Sequence, residues 1–337
     1  MNIPQTSLEF KHFPVMLKEV IKICSPKSGK KFLDCTFGGG GYSKELLKHP
    51  NTEIIAIDRD KTVLKIAEEF KKNSKNKFSF YHSKFSELDK YSIDNFDAVI
   101  FDLGLSSIQL NDLSRGFSFK SKDKLGMSMG LSSTTVEYII NNYQATDLIN
   151  IIKTFGEEKE AKSIVKNIIK QRKIKPITTT IELTNIIKKS KRKNFKKKID
   201  ISTKTFQALR IIVNREISEL VNGIIKATKI LKPGGKLILV TFHSLEDKIV
   251  KYFFKNYADN SSRQNKYSPE QTEDKISLFE SYKNKVLRAS QNELKINPRS
   301  RSAKLRFAVR NDNKFDEPME FRLKFKRLID LESKNVK

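Results

Sequence analysis

A run of four glycines, Gly38 to Gly41, lies between a short apolar segment, Lys31–Cys35 (KFLDC), and a helical stretch, Tyr42–Leu47. Few folds accommodate that order. Glycine lets the chain turn sharply and approach a ligand closely. A helix beginning just after the turn offers unpaired N–H groups to a polar or anionic ligand group. The unit therefore reads as buried strand, ligand loop and helix. The rhythm then repeats, with strands at Glu53–Asp58 (EIIAID), Phe78–His82 and Phe96–Leu103 (FDAVIFDL), and a helix over Thr62–Phe70. This alternation predicts an α/β fold: a doubly wound, mostly parallel, Rossmann-like sheet with helices on both faces.

Beyond residue 110 the strand signal stops. Val136–Tyr143, Asp147–Phe155, Glu157–Gln171, Thr180–Lys189 and Thr205–Gly223 all have helical spacing. The sheet pattern resumes after the turn Lys232-Pro233-Gly234-Gly235 with Lys236–Phe242 (KLILVTF). Ser244 to Asp247 reads as a capping box opening the next helix, and Ser302–Arg310 as a last strand. The expected organisation is a discontinuous core, residues 1–110 and 216–310, an inserted all-helical domain, residues 111–215, and a weakly structured charged tail, residues 311–337.

The chain carries 66 Lys+Arg against 39 Asp+Glu, a formal net charge of +27 that calls for a polyanionic partner. Much of this charge lies in the insert, where residues 151–204 hold 17 basic and 5 acidic residues. The run Lys188 to Lys198 (KKSKRKNFKKK) has 8 basic residues in 11, suited to phosphate contact without sequence reading and equally to a solvated loop. Arg299 and Arg301, in NPRSRS, add cations near the end of the sheet. With only Cys24 and Cys35, a disulfide framework and a cysteine-based zinc site are both disfavoured, and no spacing of the histidines suggests a metal. The N-terminus lacks the pattern of a signal peptide, and no apolar run approaches a membrane span. A cytoplasmic location without membrane partners is expected; a homodimer is compatible with the sequence.

The glycine loop and Asp58, an acid at a strand end suited to a ribose diol, leave two ligands open: a nicotinamide or flavin dinucleotide, and S-adenosylmethionine. Ser43 occupies the third glycine position of the dinucleotide pattern. Asp34 would repel a pyrophosphate and suit the cationic methionine half of S-adenosylmethionine. Asp102 ends the fourth strand, where a carboxylate accepting an N–H can orient a weakly nucleophilic amine and take its proton; a turn-forming role is the simpler alternative. His243 follows the last apolar strand, placed either to meet substrate or to satisfy a helix start.

The strings HFPVML, DCTFGGGGYS, AIDRD, DLGLSSIQL, RGFSF, TFQALRIIVN, LKPGGKLILVTFHSLED and NPRSRSAKLR run in order from His12 to Arg310. Together they resemble the bacterial 16S ribosomal RNA cytosine-N4-methyltransferase family. The resemblance implies a methyltransferase core with a helical insert, S-adenosyl-L-methionine as cofactor, and 16S rRNA or the small ribosomal subunit as partner, methylated at N4 of one decoding-region cytosine. It implies that Gly40, Gly41 and Tyr42 line the methionine side of the cofactor and that Asp58 takes the ribose. Phe85 would flank the adenine, and Asp102 and Gln109 would complete the pocket. Two departures stand out. Lys124 to Gly130 replaces a stretch usually bearing acids and an arginine, and Asp200-Ile201 replaces a usual His-Pro. An amino-methyltransferase acting on DNA or another RNA is the competing enzyme, although Asp102-Leu103-Gly104-Leu105 is not its usual Asp/Asn-Pro-Pro-aromatic string. A non-catalytic RNA-binding assembly factor is the competing non-enzyme.

Overall fold

The computed structural model describes residues 14–74, 77–118, 122–191, 200–259 and 276–333. Six strands form one sheet: β1 (Lys31–Asp34), β2 (Glu53–Asp58), β3 (Lys77–His82), β4 (Phe96–Asp102), β5 (Leu231–Thr241) and β6 (Lys304–Val309). Their order is β3-β2-β1-β4-β5-β6, parallel throughout except for the antiparallel edge strand β6. This is the doubly wound sheet expected from the sequence.

The helices are α1 (Leu17–Cys24), α2 (Gly41–Leu46), α3 (Leu64–Asn73), α4 (Ser107–Asn111), α5 (Val136–Asn142), α6 (Ala145–Gly156) and α7 (Ala161–Ile174). They continue with α8 (Thr180–Ser190), α9 (Thr203–Asn214), α10 (Glu216–Ile230), α11 (Ser244–Tyr257), α12 (Gln291–Ile296) and α13 (Met319–Ser333). Alternate residues of a strand point to opposite faces, and the central strands are apolar on both. Phe32, Ile54, Ala98, Ile100 and Ile238 join Val20 of α1, Leu46 of α2 and Ala67 of α3 in one core. Leu33, Ile55, Val99, Leu237 and Leu239 join α10, α11 and the insert in the other. None of the described helices is long and apolar enough to cross a membrane. Cys24 and Cys35 are free, buried thiols.

Four local readings need correction. The stretch Thr205–Gly223 is two helices, not one. Arg215 adopts φ +51° between α9 and α10, and Asn214 turns its amide away to bond Met127 O and Met129 N. The turn Lys232 to Gly235 is an outward loop within β5: Leu231 pairs with Phe96 and Lys236 with Ala98, and Gly234 sits at φ +76°. The capping box at α11 starts one residue earlier than expected, at His243, because Glu246 is then in position to accept from the backbone N–H of His243 and of Phe242. Finally, Met319–Ser333 of the charged tail form a helix rather than a weakly structured segment. Phe321 and Phe325, one helical turn apart, give α13 an apolar face that packs on Tyr252, Phe253 and Tyr257 of α11.

Candidate active site

The order of the sheet reverses between β1 and β4, and ligands of open α/β sheets bind beyond the carboxyl ends of strands at that point. A cavity of about 450 Å³ opens there, walled by the glycine loop, the ends of β2, β4 and β5, and the N-terminal part of α10.

The loop after β1 has a different requirement at each glycine. Gly38 sits at φ +51° and donates its N–H to Asp58 Oδ2 at 2.7 Å. Gly40 sits at φ +72°, where a Cβ would come within 2.6 Å of the Phe70 ring. Gly41 has Pro14 so close that a Cβ would meet it at 2.1 Å. Gly41 faces the cavity, whereas Gly40 stands behind the wall and serves the loop by packing. Asp34 is also off the wall. It is fully buried, accepts from Ser43 Oγ (2.8 Å) and Thr36 N (3.2 Å), and braces the loop from below. Burial pushes its carboxyl up to about 6.

Asp58, at the end of β2, lies on the wall. Besides Gly38, it accepts from Asp60 N at 2.9 Å, so both oxygens are oriented while each keeps a free lone pair. Burial raises it to about 6. Gln109 donates to Asp60 Oδ2 at 2.9 Å and accepts from Ser106 N, tying the loop after β4 to the loop after β2. Arg115 also grips Asp60 and donates to Ser128 O. Burial alone would raise Asp60; the hydrogen bonds from Gln109 and Arg115 outweigh it and hold the group below its usual value.

Asp102 ends β4 on the cavity wall, beside the loop after β1, where its N–H donates to Thr36 Oγ1 at 2.7 Å. Tyr42 donates through its hydroxyl to Val15 O and reaches Asp102 Oδ2 at 3.3 Å. Asp102 Oδ1 is buried without a partner. Burial, reinforced by the charge of Asp34, pushes Asp102 up to about 8. An orphaned carboxylate oxygen on a cavity wall costs roughly 1–3 kcal/mol, which a donor on a ligand would relieve.

Phe85 packs edge-on against Phe101, at 5.2 Å between ring centres, and leans on α10 at Gly223, where a Cβ would stand 2.5 Å from its ring. The α10 wall continues with Leu220, Glu219 and Glu216. These two acids, with Arg59 and Glu246, are wall residues that sequence reasoning missed. Reading Thr205–Gly223 as one helix concealed an acid-rich helix start at Glu216, which is itself a recognisable signal.

His243 does not line the cavity. Its Nδ1 accepts from Glu246 N at 3.4 Å as the helix cap, and its Nε2 lies 3.0 Å from Glu246 Oε1. Burial would raise Glu246, but the neighbouring His243 and Arg210 keep it below its usual value. Glu216, His243 and Glu246 bring ligand atoms within 4.8 Å of one another. Their bonding does not suit a cation. Arg210 holds both Glu216 oxygens, at 2.8 and 2.7 Å, and a capping Nδ1 leaves the imidazole proton on Nε2.

The two unusual segments have structural roles. Met129, from Lys124 to Gly130, forms cavity wall, held by Asn214, while Arg59 donates to Gly130 O. Asp200 accepts from Ser202 N at the start of α9, and Ile201 O accepts from Lys191. Residues 192–198 of the basic run fall outside the described residues. Lys188 and Lys189 are exposed, but Lys191 is buried in an ion pair with Glu158 at 2.5 Å. Arg299 reaches the cavity mouth beside Ser107.

Fold and cavity define a Rossmann-like α/β protein with its ligand cleft at the switch point of the sheet. Residues 9–311 match the MraW methylase family, and the chain belongs to it. It is 40% identical over 305 residues to Ribosomal RNA small subunit methyltransferase H of Orientia tsutsugamushi (strain Ikeda), covering 89% of this chain and 98% of that protein. The protein of the same name from Rickettsia bellii (strain RML369-C) is 42% identical over 302 residues, covering 88% and 98%. Among solved structures, an rRNA methylase from Streptococcus thermophilus aligns over 88% of this chain and 92% of its own, at 11% identity and a TM-score of 0.37, too low to inform the site.

Proposed function

We propose that this chain is an S-adenosylmethionine-dependent methyltransferase that modifies N4 of a cytosine in the decoding region of small-subunit rRNA. The observation that carries the reading is Asp102: a strand-end carboxylate on the cavity wall beside the glycine loop, with one oxygen against Tyr42 and the other buried and unpartnered.

The residues fit the cofactor. Gly41 and the backbone beside Tyr42 line the methionine side, with Gly40 shaping the loop from behind. Asp58 offers two oriented acceptors to the ribose diol, and Phe85 presents a ring to the adenine. Gln109 fixes the two loops that close the pocket. When bound, the cofactor supplies a methyl group made electrophilic by a sulfonium.

The exocyclic amine of cytosine is a weak nucleophile because its lone pair is delocalised into the ring. Asp102 Oδ1 accepts one amine N–H, orients the nitrogen and takes the proton as the methyl arrives. Tyr42 lies against Oδ2, which leaves Oδ1 as the oxygen to receive the amine. Phe242, packed against Gly104 where a Cβ would lie 3.1 Å from its ring, offers a stacking surface on the same wall. His243 acts through Glu246 as a positioning residue rather than touching substrate. Arg299 at the mouth is placed to meet phosphate, and the wider positive charge to hold RNA.

Calorimetry with S-adenosylhomocysteine, paired with methyl incorporation into small subunits, tests the reading. Binding with transfer to cytosine N4 is expected. Binding without transfer to any small-subunit RNA would instead favour an assembly factor, and no binding would remove the cofactor.

A further inference from the structure

Glu219 is a second acid on the cavity wall with an unmet demand. It is only 7% exposed, and its Oε2 is buried with no partner. Burying a carboxylate oxygen without a donor is costly, so the position implies a donor that arrives with the ligand. Helix geometry places Glu219 on the same face of α10 as Gly223, one turn nearer the helix start. Gly223 is where Phe85 packs, so Glu219 lies between the Phe85 ring and Glu216. Glu216 is already engaged by Arg210, which leaves Glu219 as the acceptor on this wall.

We propose that Glu219 accepts a hydrogen bond from the exocyclic amino group of the adenine of the bound cofactor, and so selects adenine over bases that carry a keto oxygen there. The inference rests on the cofactor reading above, with Phe85 beside the adenine. A ring at Phe85 supplies contact that any purine would satisfy. A carboxylate at the ring edge discriminates, because it attracts an amine and repels a carbonyl oxygen.

The test is calorimetric and requires no turnover. S-Adenosylhomocysteine and S-inosylhomocysteine differ at the relevant position by amine against keto oxygen. The wild-type protein should bind the adenosyl compound at least about tenfold more tightly, the scale of a hydrogen bond to a charged group. Glu219→Gln can donate to the keto oxygen, so it should level or reverse that preference; Glu219→Ala should level it. Thermal melts of the variants confirm that each is folded, and the wild-type ratio stands as a test on its own. A wild-type protein that binds both compounds equally, or folded variants that keep its preference, would overturn the assignment of Glu219 and leave the cofactor site intact. Failure of the wild-type protein to bind either compound would overturn both.

Discussion

Asp102 has two oxygens in different surroundings, and that asymmetry decides what the residue can do. Oδ2 is engaged by Tyr42, whose own phenol is kept protonated by burial and by the charges of Asp102 and Asp34. Oδ1 is free to accept from an amine. Asp102→Asn keeps the shape and removes the base, so methyl transfer should fall by roughly 10²–10⁴-fold while the Kd for S-adenosylhomocysteine changes far less. Comparable losses in both would make Asp102 a binding residue only. Because Asp102 is raised to about 8, the reactive carboxylate fraction grows as pH rises through that value. The kcat/KM of the wild-type enzyme should therefore climb between pH 6 and 9 with an apparent midpoint near 8. A profile flat over that range would contradict the role. At this scale the sequence pointed to Asp58 and Asp102 through their strand ends and to Phe85 through the family resemblance, and all three line the cavity. It was not informative for Gly40, whose task is to pass beneath Phe70 and Phe37, nor for Asp34, which the chain turns inward to Ser43. Neither fact has a signature in spacing.

Secondary-structure elements hold the site in two ways. The first is the loop between β1 and α2. Gly40→Ala forces a side chain into the left-handed region, at about 1–2 kcal/mol, and drives it against Phe70 and Phe37. Chemical denaturation should show a loss of at least that size, with weakened S-adenosylhomocysteine binding. An unperturbed variant would mean that the loop is looser than its contacts imply. The second is α13, which lies beyond the residues matched to the family. Glu332, fully buried, accepts from Ile217 N (2.9 Å), Ser218 N (2.8 Å) and Ser218 Oγ, capping the helix that carries Glu216 and Glu219. Burial raises Glu332 from 4.5 to about 8, so the folded chain holds its proton more tightly than the unfolded chain. Its contribution is thus complete below about 4.5 and is lost as pH climbs through about 8. Glu332→Gln should flatten that part of the stability curve, which urea titrations at several pH values would detect; an unchanged slope would assign the pH dependence to other groups. The capping role of α13 was hidden because its apolar face is narrow and set among charges, whereas the parallel strands declared themselves as continuous apolar runs.

For the whole molecule, a +27 chain carries an acid-lined cleft. In the proposed function the charge would serve RNA, and the cleft the methyl donor and the base. Neutralising Lys188, Lys189 and Arg299 should weaken binding to small-subunit RNA and reduce its salt dependence, each lost phosphate contact flattening the slope by about 0.7–0.9. An unchanged slope would return those cations to solvent. The class of fold was legible in the sequence because strand, glycine turn and acid recur with a period the chain keeps. The succession of helices between β4 and β5 was legible too, as a loss of that period. What could not be read was how the insert closes on the core. Asn214, Arg59 and Gly130 meet across 155 and 71 residues of chain, through backbone carbonyls that any sequence offers.

The most direct measurement is to incubate small ribosomal subunits lacking the modification with S-adenosylmethionine and either wild-type protein or Asp102→Asn, then locate new methyl groups by nuclease digestion and mass spectrometry. The account predicts one methyl on N4 of a decoding-region cytosine with the wild-type protein and almost none with the variant. A methyl on carbon, ribose or another base, or equal incorporation by the two proteins, would contradict it.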